Sequence, residues 1–353
     1  MNFSKRSVAY AAIFIGGLSC QGMAFAQETP LAAPAQSIMN TKKPQPGIPQ
    51  LNIKHANGHG IHIFPTVAGA RTLAVTPNVG TAPLVYHSGG QVMQSLKVYT
   101  IFWVPPTLQT GAATSVSPRY VSIENLVAGK YIGSPIGGNN TQYYQTVSSV
   151  THYVQNIGRS SVLTYTDTSA YPASGCSDSA TPGNCITDAQ IQAEIKKVMA
   201  LKGWTGGMGN IFLLFTSKGE GSCFDGASAS CAYANYCAYH GNMYSGTTPI
   251  IYGNEPYGDP SYCQVANTPT PQGDAEAEAA ATAASHEMTE AITDPLGDAW
   301  YTSDGYEIGD LCAYKYGTNS WDAGAANQIW DGKYLELQME YDNHASKCVQ
   351  VGP

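Results

Sequence analysis

The chain has 353 residues, with 25 Asp+Glu against 17 Lys+Arg and a formal charge of −8, so a basic nucleic-acid-binding surface is not expected. Charged residues make up only 12 %, about half the usual share, while 43 % hydrophobic residues and 23 tyrosines can build a core and exclude a wholly disordered chain. No apolar run reaches the roughly 18 residues that a membrane span needs.

Lys5 and Arg6 precede an apolar stretch from Val8 to Leu18, and Ala24-Phe25-Ala26 offers small residues where a signal peptidase reads. A signal peptide over residues 1–26, cleaved after Ala26, predicts a secreted or periplasmic protein. Gly17-Leu18-Ser19 before Cys20 is a poor lipid-attachment box. Loss of this segment removes two basic residues and no acid, taking the charge from −8 to −10. Residues 27–84 are rich in Pro, Ala, Gly and Thr without a sustained period, which reads as a tail, linker or pro-segment. His55, His59 and His62 fall in it and read as incidental.

The folded domain is expected over residues 85–353. Leu96 to Val104 is a β-branched and aromatic run ended by Pro105-Pro106, a buried strand. Tyr144, Val147, Val150 and Val154 predict a helix from Asn140-Thr141 to about Gln155. Ser161–Thr166 and Asn210–Thr216 read as strands, and Thr187 or Asp188 opens a helix lined by Ile191, Ile195 and Val198. Thr248 to Tyr252 reads as an edge strand near an open site. Asp274 caps a helix over residues 275–293, stopped by Pro295; at ~1.5 Å per residue it spans roughly 28 Å. The alternation predicts an α/β fold, a mixed sheet packed with helices.

Eight cysteines remain after the signal: Cys176, Cys185, Cys223, Cys231, Cys237, Cys263, Cys312 and Cys348. An even number in an oxidising compartment suggests up to four disulfides, and no CxxC spacing points to a zinc finger. Eight cysteines allow 105 pairings; pairing neighbours would join 176–185, 223–231, 237–263 and 312–348.

The helix over 275–293 carries His286-Glu287-Met288-Thr289-Glu290. Positions 286 and 290 share one face and can share one ion, while Glu287 can hold a water bound to that ion. This is the spacing of the HExxH zinc motif with the second histidine replaced by glutamate, and zinc accepts carboxylate oxygen. Glu307 is the first choice for a third ligand and Asp294 the runner-up, with His240 and His87 as outside candidates. Asp310 would support the ligand shell. A plain surface pair between His286 and Glu290 is the competing reading. His152 and His344 lack supporting context. No GxSxG elbow, phosphate-binding loop or dinucleotide fingerprint occurs; a two-carboxylate glycosidase leaves no sequence signature to test.

The sequence resembles the phosphate-induced protein 1/EXORDIUM family of exported proteins. The resemblance runs from residue 86 to 348 and rests on Tyr86-His87-Ser88-Gly89-Gly90-Gln91-Val92-Met93, on Cys237-Ala238-Tyr239-His240, and above all on SHEMTEAITDPLGDAWYTSDGYEIGDLC from 285 to 312. It implies a secreted or wall-associated protein and says little about a reaction. In plant members the residue matching Asp294 is commonly asparagine, which favours Glu307 as the third ligand. Together these readings predict a disulfide-tied, zinc-peptidase-like (zincin-like) core. Its function would be that of an exported metal-dependent hydrolase, a zinc peptidase acting on peptide or protein, with Zn²⁺ on His286, Glu290 and Glu307 and Glu287 as general base. The competing class is a non-catalytic binding or signalling protein of the cell wall or envelope on the same scaffold.

Overall fold

The computed structural model describes residues 52–54, 60–72 and 84–353, apart from 159, 229, 265–268, 304 and 318–325. The chain divides into two units, Met1–Lys43 and Pro44–Pro353, and every described residue belongs to the second. The signal-peptide reading, His55 and His59 lie outside the described residues.

Seven strands form one mixed sheet: β1 (Asn52–Lys54), β2 (Gly60–Pro65), β3 (Lys97–Trp103), β4 (Ser161–Asp167), β5 (Asn210–Thr216), β6 (Tyr236–Ser245) and β7 (Thr248–Glu255), in the order β1-β2-β6-β7-β5-β3-β4. From β7 to β4 neighbours run parallel, and from β1 to β7 antiparallel. Three helices pack on it: α1 (Tyr120–Lys130), α2 (Asp188–Lys202) and α3 (Ala275–Thr293).

Side chains alternate across a strand, so each central strand feeds two cores. Val98, Phe102, Ile211, Leu213, Phe215 and Ile251 pack with α1 and α3. Tyr99, Ile101, Trp103, Phe212, Leu214 and Tyr252 pack with α2. Burial on both faces explains why β3 and β5 read as unbroken apolar runs. Helix α2 begins with a capping box in which Thr187 and Gln190 satisfy each other's amides, and Asp274 caps α3 through Ala277 N. The alanines of α3 allow backbones to approach closely. A Cβ on Gly258 would sit 2.1 Å from Glu276 O and 2.7 Å from Ala280 N, so only glycine fits there.

Three sequence expectations need correction. The folded unit does not begin at 85: β1 and β2, drawn from the stretch read as tail or pro-segment, pair into the main sheet. Residues 140–155 are not a helix; a 3-10 turn, Gly137–Gln142, leads into an antiparallel hairpin of Tyr144–Val147 and Val150–Tyr153. Ser148 and Ser149, with φ of 50° and 65°, supply its two-residue turn, and Val147, Val150 and Tyr153 stay exposed. Strand β7 lies inside the sheet rather than at its edge. Helix α1 was not anticipated.

Disulfides join Cys176–Cys185, Cys223–Cys231, Cys237–Cys263 and Cys312–Cys348, a framework that fits an extracytoplasmic protein. Among the described residues no helix is long and apolar enough to cross a membrane. The Cys312–Cys348 bridge closes a separation of 36 residues, for which chain entropy alone gives about 4 kcal/mol. A Cys312→Ser/Cys348→Ser double variant is expected to lose that much unfolding free energy in a denaturant titration. A loss under about 1 kcal/mol would contradict the assignment.

Candidate metal centre

Helix α3 is buried from Ala277 to Thr293, so its polar face has only protein to turn to. His286 and Glu290, one turn apart, meet at 3.1 Å between Nε2 and Oε1. The sheet brings two more imidazoles to this face. Strands β2 and β6 pair so that His62 lies opposite His240, and the two rings stack with centroids 5.0 Å apart. Phe64, two residues on and therefore on the same face, donates its amide N–H to Glu287 Oε1 at 3.0 Å. Its ring lies 4.3 Å from that of His286.

A turn after α3 supplies the remaining acids. Glu307 N–H donates to Asp310 Oδ2 and Asp310 N–H to Glu290 Oε1, both at 2.9 Å, which pins the turn to the helix. At the end of α3, Asp294 Oδ1 accepts the amides of Asp298 and Ala299 at 2.6 Å each. Gly309 makes the close approach possible, since a Cβ there would lie 2.6 Å from His286 Nδ1 and 3.0 Å from Glu290 Oε1. Gly309→Ala is therefore expected to cost about 1–3 kcal/mol through overpacking. Thermal melting checks this, and an unchanged melting curve would contradict the placement of the turn.

Three overlapping triads result, each one imidazole and two carboxylates: His286–Glu290–Asp310, His240–Glu290–Glu307 and His62–Asp294–Glu307, with ligand atoms within 4.8 Å of one another. His286, Glu287, Glu290, Asp294 and Glu307 are fully buried, His240 is 1 % exposed and His62 7 %. His286 Nε2, His240 Nε2, His62 Nδ1, Glu290 Oε2, Asp294 Oδ2, Asp310 Oδ1 and both oxygens of Glu307 make no hydrogen bond among the described residues. Buried polar atoms are ordinarily paired, and these face one another in groups that could hold a cation.

Electrostatics agree. Burial pushes His240 down to about 3, with His286 adding to the shift, and lowers His62 and His286, leaving neutral rings as metal ligation requires. Burial pushes Glu287 up to about 8 and Asp294 up to about 7. Burial first, and then neighbouring carboxylates, raise Glu290, Glu307 and Asp310 well above the carboxylate range. A divalent cation would reverse that crowding.

The expected ligands are brought together in a changed pairing. His286 and Glu290 face each other, but Glu307 joins Glu290 through His240, while Asp310 takes the third place beside His286. Asp294, the runner-up, and His240, an outside candidate, both belong to the cluster. His87 does not: it stacks on Tyr301 at 3.6 Å, with Nδ1 3.2 Å from Ala299 O. Glu287, read as the general base, has both oxygens engaged, one by Phe64 N and the other by His240 Nδ1 at 2.9 Å. His62 was passed over as part of a tail. The alternation Gly60-Ile61-His62-Ile63-Phe64-Pro65 is a strand pattern that could have found it. Comparison with family models, with curated proteins and with solved structures returned no match.

Proposed function

We propose that this protein is an exported metal-dependent hydrolase, of the zinc-peptidase type, whose ion sits between α3 and the turn that follows it. The observation carrying this reading is the triad His286–Glu290–Asp310. Its Nε2 lies 3.1 Å from Glu290 Oε1 and 3.8 Å from Asp310 Oδ1, and neither Nε2 nor Oδ1 has a hydrogen-bond partner. An imidazole with two carboxylates is a donor set that zinc accepts. A divalent ion bound there supplies Lewis acidity to a carbonyl and lowers the pKa of bound water. Glu287, beside the triad and raised to about 8, is the group that would take and return a proton. The zincin-like core, the cleaved signal peptide and the EXORDIUM-like resemblance belong to the same proposal. Its support is an HExxE helix lying under a mixed sheet, acids supplied by a following turn, and a disulfide framework suited to the cell exterior.

Two observations favour a second reading, a non-catalytic envelope or cell-wall binding protein on this scaffold. Strand β2 occupies Glu287 through the Phe64 N–H, and Glu287 is fully buried. Gln338, whose Oε1 accepts Tyr314 N–H and whose Nε2 donates to Gly309 O, turns that same Nε2 to His286 Nδ1 at 2.9 Å. That arrangement places the ring proton on Nε2, facing the acids. Metal content of the purified chain, with cleavage of a broad peptide library before and after chelation, separates the readings. Bound metal with chelator-sensitive cleavage supports the hydrolase; absence of bound metal, or bound metal without cleavage, supports the second.

A further inference from the structure

We infer that the cluster contains a second divalent-cation site, formed by His62, Asp294 and Glu307 with His240 Nε2 beside it. It rests on the proposed first ion at His286–Glu290–Asp310, with which it shares no residue.

Each member is oriented for the role. Asp294 spends Oδ1 on two backbone amides and leaves Oδ2 unpaired, the arrangement of a carboxylate held from behind for one ligand bond. His240 directs Nδ1 at Glu287 Oε2, 2.9 Å away. With Glu287 ionised, Nδ1–H donates to it and the lone pair is left on Nε2, which faces Glu307 Oε2 at 3.6 Å without forming a hydrogen bond. The other oxygen of Glu307 lies against His62 Nδ1, again without hydrogen-bond geometry. Glu307 thus divides its oxygens between two imidazoles, and neither oxygen makes a hydrogen bond of good geometry among the described residues. His62 is held in place by the β2–β6 register and by its stack on His240.

Charge points the same way. Glu287, Glu290, Asp294, Glu307 and Asp310 are five acids in one buried space. One divalent ion offsets two of them, and uncompensated buried charge is costly. A second ion offsets two more. Imidazole with carboxylates suits zinc, manganese or iron(II) rather than calcium or magnesium, which prefer all-oxygen sites.

The test is zinc stoichiometry of the full chain after loading and exhaustive dialysis. Wild type is expected to hold two equivalents, and His62→Ala and Asp294→Asn one each. Asparagine retains the oxygen that caps Asp298 and Ala299, so Asp294→Asn keeps the local fold, and an unchanged melting curve of the zinc-free form verifies this. His286→Ala should lose the other equivalent. A single equivalent, untouched by Asp294→Asn and lost in His286→Ala, overturns the second site and leaves the first. A single equivalent lost in Asp294→Asn but kept in His286→Ala overturns the first site and with it the two-ion cluster, leaving one ion at His62–Asp294–Glu307. No zinc at all overturns both.

Discussion

Glu287→Gln is expected to lower peptide hydrolysis by about 10²–10⁴-fold while metal at His286–Glu290–Asp310 stays bound. Glutamine has the same shape and still offers an oxygen to Phe64 N–H, which now donates to Glu287 Oε1 at 3.0 Å. His240 Nδ1, 2.9 Å from Oε2, keeps a polar neighbour. What disappears is the exchangeable proton on a carboxyl that burial pushes up to about 8. The measurement is the cleavage rate of the wild-type chain's best library peptide, alongside elemental analysis of both proteins. A rate within twofold of wild type would remove Glu287 from the chemistry and leave it as the residue that orients His240. Loss of metal together with rate would show that the substitution had disturbed the ligands.

The second large effect is on stability. Withdrawing metal from the folded chain leaves buried acids facing neutral imidazoles, and the fold then carries unpaired polar groups on α3, β2 and the 307–310 turn at once. A ligand at a thousandfold excess over its dissociation constant contributes ~4 kcal/mol. At about 2–4 °C per kcal/mol for a domain of 150–250 residues and less for a larger unit, chelation is expected to lower Tm by several °C. Re-addition of zinc should restore it. A melting curve indifferent to chelator and to added zinc would contradict a metal held by this cluster.

Much of the fold was legible because several elements announce themselves locally. The apolar runs of β3 and β5 and the caps at Thr187 and Asp274 place their strands and helices within a residue or so. Residues 144–154 misled because Tyr144, Val147, Val150 and Val154 fit a helical stripe, whereas two serines with positive φ fold the segment into a hairpin. Helix α1 escaped notice because Glu124 interrupts its apolar face, yet that side chain is turned inward and buried. The same division runs through the site. His286, Glu287 and Glu290 share one helix, and Glu307 and Asp310 one turn, so spacing alone suggests them. His62 and His240 meet only because β2 pairs with β6, and no local pattern encodes a pairing between segments so far apart in sequence. Their position also redirects Glu307, which faces those two rings rather than His286.

The most direct test of the account is a crystal structure of the zinc-loaded chain, with anomalous diffraction collected on either side of the zinc absorption edge. The account predicts a zinc peak at ordinary ligand distances, ~2.0–2.2 Å, from His286 Nε2, Glu290 and Asp310. A map without that peak, showing His286 and Glu290 hydrogen-bonded directly to each other, would contradict it.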